Sequence, residues 1–447
     1  MKIDFDDCIS YTLSILTGGN GNLSATHRYI GYCSYEKRSS ENRIVIIPCG
    51  LFGETYGKHC SLPTFPISFI EGTPLLYGTP DVEWRNNVLV IHADIVASSY
   101  FLLTRYEEVV RRNTRDQHGR FPGEKSLPFR AGFIQRPIVD EYAELLRKWL
   151  MEVGVSFPEN RNRGFKVYLT HDVDVPWAWH RFRAVAKSTL KLIHRPRQLL
   201  NPVLSFLDIR QGLDPFDCFE WILAQDGKVR DSYGVDRVAS VYFFLAGGND
   251  TRDGKNYIHD RRFGRLVKML KHHNAVIGLH SSYSSGRQPA LIEKERRQLQ
   301  AATDTDIRWN RHHFLASREP EDMAFLESAG ITDDFTMAYP DVAGFRLGTC
   351  RPIRWFDPVV GKASKLILHP MTIMECTLEN PNYMNLDYEQ AQDMCSKLLH
   401  TAFKYTGDVV LLWHNTQLSR LKEAQGSYQR KLYRFVLSEL NFYLNKK

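Results

Sequence analysis

Two regimes of apolar and polar spacing divide this chain. In its later part, short apolar runs occur at Phe165–Thr170, Ala239–Leu245, Ala275–Leu279, Lys365–Leu368 and Val409–Trp413. They alternate with stretches of helical period at Asp260–His273, Pro289–Ala302, Tyr388–Tyr405 and Ser427–Lys446. Strands alternating with helices in this way predict parallel βαβ construction. About 285 residues suit a closed (β/α) barrel of eight or fewer units, and an open doubly wound sheet is the competitor. No Gly-x-Gly-x-x-Gly turn follows these runs, which counts against a dinucleotide fold.

The earlier part reads as a smaller mixed α/β domain. Arg43–Pro48 and Asn87–His92 have strand character, and Val139–Val153 is an amphipathic helix. Asn87–Thr104 is the longest apolar stretch, but His92 and Asp94 break it, so it predicts a buried strand running into a helix rather than a membrane span. Asp116–Phe121 (DQHGRF) reads as a solvated loop. Residues 154–164 collect Gly, Pro and Asn, which places a boundary between domains 1–158 and 159–447.

Composition narrows the function classes only a little. Of 447 residues, 43% are hydrophobic and 24% charged, which excludes wholesale disorder and fibrous repeats. The net charge of +7 is mild for this length, and the densest basic stretch, Lys187–Arg197, has no interleaved aromatics, so no nucleic-acid partner is expected. The N-terminus lacks the pattern of a secretory leader, and the eight cysteines include no Cys-x-x-Cys pair. A cytoplasmic protein with ordinary thiols is the expectation. Oligomeric state is not legible.

The chemistry lies in what ends the strands. Phe165–Thr170 runs into His171-Asp172-Val173-Asp174, Ala275–Leu279 into His280, and Val409–Trp413 into His414-Asn415, while Arg311-His312-His313 follows Arg308. In a (β/α) barrel all strand C-termini open on one face, so one shared site explains these residues better than separate accidents. Imidazole and carboxylate together suit a divalent metal and hydrolysis, with a second carboxylate as base and a further His as acid. In an extended stretch, residues two apart point the same way, so an Asp-x-Asp pair can divide ligation from proton transfer.

These residues resemble the polysaccharide deacetylase superfamily (NodB-homology, carbohydrate esterase family 4) over roughly residues 164–445. LTHDVD (169–174) is similar to its first motif in a spaced Asp-x-Asp form, and GLHSS (278–282) to the second. RHHF (311–314) is similar to the third motif and LLWHN (411–415) to the last, all in the family's order. The resemblance implies Asp172 as general base, Asp174 and His280 as metal ligands, and Arg311 as the residue orienting Asp172. It implies His414 as general acid, with Glu375 near the acid that tunes it, and a backbone amide near His313 or Phe314 as oxyanion donor.

One departure matters. Where the family has a second ligand His, four residues after the first, this chain has Ser284. The two histidines of the third motif suggest that His313 supplies the missing imidazole; His312, facing the other way in an extended segment, is the weaker candidate. Zinc is the expected ion from the His-rich set, with manganese or cobalt as alternatives. The stretch 333–352 resembles the family's substrate-groove loop, which makes Asp334, Tyr339, Arg346 and Thr349 candidates for contact with the sugar. Its GFRLGT reads equally well as a tight turn needing Gly344 and Gly348.

The N-terminal segment, with YFLLTRYEE (100–108), DQHGRF and RPIVDEY (136–142), is similar to an uncharacterised domain that precedes such deacetylases. For Arg105, Glu107 and Glu108 a structural or interdomain role is expected. The expected substrate is an acetylated sugar or polysaccharide precursor, from which N-acetyl groups are removed. Hydrolysis of another C–N or ester bond, or sugar binding by a decayed site, are the rivals.

Overall fold

The computed structural model describes residues 3–18, 25–155, 165–178 and 214–445. The boundary segment from residue 156 to 164 and the basic stretch Lys187–Arg197 lie outside the described residues.

The first unit holds β1 (Ile30–Tyr32), β2 (Ile44–Ile46), the hairpin β3 (Ser68–Ile70) and β4 (Thr73–Leu75), then β5 (Gly78–Arg85) and β6 (Val88–Ala93). β1, β2 and β6 pair in parallel in a four-stranded sheet, with β5 antiparallel at its edge. The long apolar stretch is a strand running into a helix, as its pattern predicts: β6 passes through Asp94 into the helix Ile95–Leu103. Asp94 starts that helix by accepting a hydrogen bond from the Ala97 amide at 2.8 Å.

The second unit holds β7 (Val167–Val173), β8 (Val238–Phe244), β9 (Val276–Ser281), β10 (Trp309–His312) and β11 (Asp333–Asp334). It continues through β12 (Ile353–Asp357), β13 (Lys362–Leu368), β14 (Ile373–Met374) and β15 (Val409–Leu412). Their order is β12-β13-β11-β10-β9-β8-β7-β15-β14, parallel except for β12 against β13. β7 is buried along its whole length, and its residues sort by period two. Val167 and Leu169 join the main apolar core, whereas Tyr168 joins a separate inner cluster with Phe243, Phe335, Met374 and Leu412.

This sheet is strongly curled. β7 and β10 are three strands apart, roughly 14 Å in a flat sheet, yet Arg311 on β10 reaches Asp172 on β7 at 2.8 Å. The expected closed barrel is not seen: among the described residues no sheet closes on itself. The segment that would close it runs from β13, paired with β11, to β14, paired with β15, and Pro370 interrupts it. Proline has no N–H to continue a ladder.

Apolar packing passes from one unit to the other, since one core cluster includes Cys8, Tyr100 and Leu146 together with Leu169, Leu411 and Leu440. Buried polar contacts join them as well. Arg346 donates to Glu108 at 2.9 and 3.0 Å, Arg105 donates to the Ser317 hydroxyl at 3.2 Å, and Thr349 donates to Asp140 at 3.0 Å.

Candidate metal centre

Strand periodicity aims the first acidic pair. On β7, His171 turns outward and its Nδ1 donates to the Trp413 carbonyl at 3.0 Å. Thr170 and Asp172, one residue to either side, turn inward, where Arg311 Nη1 donates to both, at 2.7 and 2.8 Å. Asp174, two residues on, reaches the histidines at the rim of the same inner face.

Asp174, His280 and His313 bring one ligand atom each to within 4.8 Å of one another. His280 Nε2 stands 3.2 Å from Asp174 Oδ1, and His313 Nε2 stands 3.6 Å from Asp174 Oδ2. His280 Nδ1 lies 2.9 Å from the Arg311 carbonyl, which can only accept; Nδ1 therefore carries the proton and Nε2 is free to ligate. Buried Asp174 Oδ1 and His280 Nε2 face each other without a well-formed hydrogen bond. Two orphaned polar atoms beside a third donor are costly in an apo protein and suit a cation. The donor set fits zinc.

The acid–base groups flank this cluster. Burial alone would raise the Asp172 carboxyl, but Arg311, helped by His280 and His414, brings it below its ordinary value. Burial would likewise raise Asp174, and His313, His280 and His414 hold it well below. Burial opposes the charged form of His414, yet Glu375 and Cys376 drive it well above the ordinary histidine value. Glu375, fully buried, meets His414 Nδ1 at 2.5 Å and accepts from the His414 amide at 3.0 Å. His414 Nε2 faces both carboxylates, 3.8 Å from Asp174 Oδ2 and 4.0 Å from Asp172 Oδ2. An ionised carboxylate and a protonated imidazole thus share one cleft. His313 is also raised, to about 9, because Asp174 and Asp253 outweigh its burial.

His312 faces away from the cluster, against Asn310 and Thr336, and burial pushes it down to about 3.

A cavity of about 180 Å³ opens beside these groups, lined by Asp172, Asp174, His313, His414, Tyr383 and Arg120 among others. It is smaller than the roughly 300–1,000 Å³ of a drug-sized pocket and has room for one small group such as an acetamide. The proposed sugar contacts do not line it. Asp334 is fully buried and accepts from Asn310 at 2.8 Å and Thr336 at 2.7 Å. Tyr339 packs with Phe121 and Ile134 of the first unit, and Arg346 is bound to Glu108. Thr349 is held by Asp140. The stretch is a joint between the units, and the close approach at Gly344, where a Cβ would meet the Ile134 carbonyl at 2.4 Å, belongs to that joint.

The DQHGRF segment is also corrected: it is no solvated loop. Arg120 is buried, anchored to Asp116, and donates to the Phe314 carbonyl at 2.7 Å. Phe314 and Leu315 have φ of 59° and 52°, a left-handed conformation that is strained for bulky residues. The first unit therefore braces the turn that carries His313. Sequence reasoning missed Arg120, although its Asp, His and Arg around a glycine were a usable signal. It also missed Tyr383, Cys376 and Asp253, for which spacing offered none.

Residues 5–154 match a family of unknown function, DUF7033. Comparison with curated proteins finds no match. Among solved structures, the chain is similar to a candidate polysaccharide deacetylase from Mycobacterium smegmatis, at 13% identity and a TM-score of 0.38, over 64% of this chain and 86% of that one. It is also similar to a mutant of BA3943, a CE4-family pseudoenzyme with restored enzymatic activity, at 14% identity and a TM-score of 0.26, over 61% and 63% of the two chains. At these scores neither likeness bears on the site, which stands on its own geometry.

Proposed function

We propose that the chain is a metal-dependent carbohydrate deacetylase, built on a distorted barrel of the NodB-homology type. It removes N-acetyl groups from an acetamido sugar in a surface-polysaccharide precursor, in the cytoplasm. The division into 1–158 and 159–447 is part of the same reading. One observation carries it: the cluster of Asp174, His280 and His313 lies between a carboxylate held by an arginine and an imidazole held by a glutamate.

Asp174, His280 and His313 would hold the ion, zinc first and manganese or cobalt next. Once bound, it would polarise the acetamide carbonyl and acidify water. The remaining work falls to protein groups. Arg311 occupies Asp172 Oδ1 and keeps the carboxylate anionic, leaving Oδ2 to take the proton of the attacking water. A backbone amide near His313 or Phe314 steadies the oxyanion. As the C–N bond breaks, His414, kept protonated by Glu375, delivers its Nε2 proton to the departing amine.

The test is acetate release by the zinc-loaded full-length chain from a panel of N-acetylated sugars, with O-acetylated sugars and cyclic amides alongside. Release from at least one N-acetyl sugar is expected. Turnover confined to cyclic amides or esters would move the activity to another hydrolase. A metal-replete protein inert toward the whole panel would leave only a sugar-binding role.

A further inference from the structure

Ser284 stands where the deacetylase resemblance puts a second ligand histidine. Its hydroxyl is engaged elsewhere. Oγ donates to Asp253 Oδ2 at 2.6 Å, and the Ser284 amide donates to the same oxygen at 3.1 Å. The same Oγ accepts the amides of Asn249 and Asp250 at 2.8 and 2.9 Å, which ties down the loop bearing Asp253. The Tyr283 amide holds Asp253 Oδ1 at 2.5 Å.

Asp253 is only 2% exposed, and the fold makes room for its carboxylate. A Cβ at Gly248 would stand 2.4 Å from Asp253 Oδ2, so a side chain there would displace it. From this seat Oδ1 faces His313 Nδ1 at 3.3 Å, while His313 Nε2 faces Asp174. An ionised carboxylate only accepts, so Nδ1 must carry the proton in this contact, and Nε2 is then the atom left to ligate. Carboxylates placed behind metal-bound imidazoles fix tautomer and ring plane in this way.

We propose that Asp253 and Ser284 are positioning residues of the metal centre, Ser284 fixing the Asp253 carboxylate and Asp253 orienting His313 toward Asp174 and His280. The inference rests on the reading of these three residues as a metal site. On this account position 284 does not reach the ion. It serves an imidazole that arrives from the end of β10, sixty residues beyond Asp253 in the chain.

Zinc titration of the metal-free full-length chain, in competition with a chelator, tests the proposal together with melting curves of each metal-free variant. Wild type should take up one ion. Asp253→Ala should weaken binding by about 10–100-fold. Ser284→Ala should weaken it less, and Ser284→Thr, which keeps the hydroxyl, should restore it. Ser284→His should lose affinity, because it breaks the bond to Asp253.

Wild-type affinity in Asp253→Ala, or tighter binding by Ser284→His, would overturn the positioning role while leaving the metal site intact. No zinc uptake by wild type would overturn the metal site, and this inference with it. Should Asp253→Ala fail to fold, the contrast between Ser284→Ala and Ser284→Thr decides, and equal affinities there overturn the proposal.

Discussion

Asp94 and Asp174 sit at corresponding places in the two units, each just past the C-terminal end of a parallel strand. Asp94 is fully satisfied. Its Oδ1 accepts from the Ala97 amide, and its Oδ2 from the Cys49 amide and the Tyr32 hydroxyl, each at 2.8 Å. Burial nevertheless raises its carboxyl, the donors notwithstanding. Asp174 is surrounded by imidazoles, keeps an orphaned oxygen and is held well below its ordinary value. A strand-end carboxylate given neutral donors becomes a cap, whereas one left unfilled among histidines becomes a candidate ligand. Position in the sheet alone does not separate the two.

The sharpest way to break this contrast is to remove Asp174. Asp174→Ala should abolish stoichiometric zinc binding and reduce acetate release to background; retained zinc would sink the ligand assignment. Asp172→Asn should lose roughly 10²–10⁴-fold in turnover while keeping the metal, as removal of a general base does. Loss of metal instead would mean that Asp172 and Asp174 exchange roles. Arg120→Met should cost up to about 10²-fold in kcat through the turn bearing His313, with the inner-face base untouched. Unchanged kinetics would confine Arg120 to joining the units.

Asp94→Ala is the counterpart. It should lower unfolding stability by about 1–3 kcal/mol, since buried donors lose their acceptor, and leave zinc stoichiometry at wild type. The smallest effect is on pH dependence. His313 titrates near 9 in the folded, metal-free protein, above an ordinary value of 6.5. Its stabilising contribution is complete below about 6.5 and disappears as pH rises through about 9. Asp174, shifted down, adds stability above the ordinary carboxylate range that is lost on acidification. Melting temperatures of the metal-free protein at pH 6, 7.5 and 9 should therefore fall on the alkaline side, and less steeply in His313→Ala; equal slopes would refute the pairing.

Local pattern carried much of this fold. The strands at Val167–Val173, Val238–Phe244 and Val276–Ser281 and the helices at Tyr388–Lys404 and Gln429–Asn445 lie where periodicity placed them, because each buries a face that reads directly as spacing. Strand alternation also aimed Asp172 and Asp174 to one side. The stretch 333–352 misled because its Asp, Tyr and Arg suit a sugar groove or a buried joint equally well, and only the position of Glu108 and Asp140 distinguishes these.

What the amino-acid order determined by itself was the alternation of strands and helices and the kinds of donor waiting at the strand ends, since both depend on near neighbours in the chain. Tertiary structure decided that the sheet stays open at Pro370, that Arg120 crosses from the first unit to Phe314, and that Asp253 stands behind His313. Those contacts join residues 60 or more positions apart. No local period encodes them; they form only when segments distant in the chain pack together.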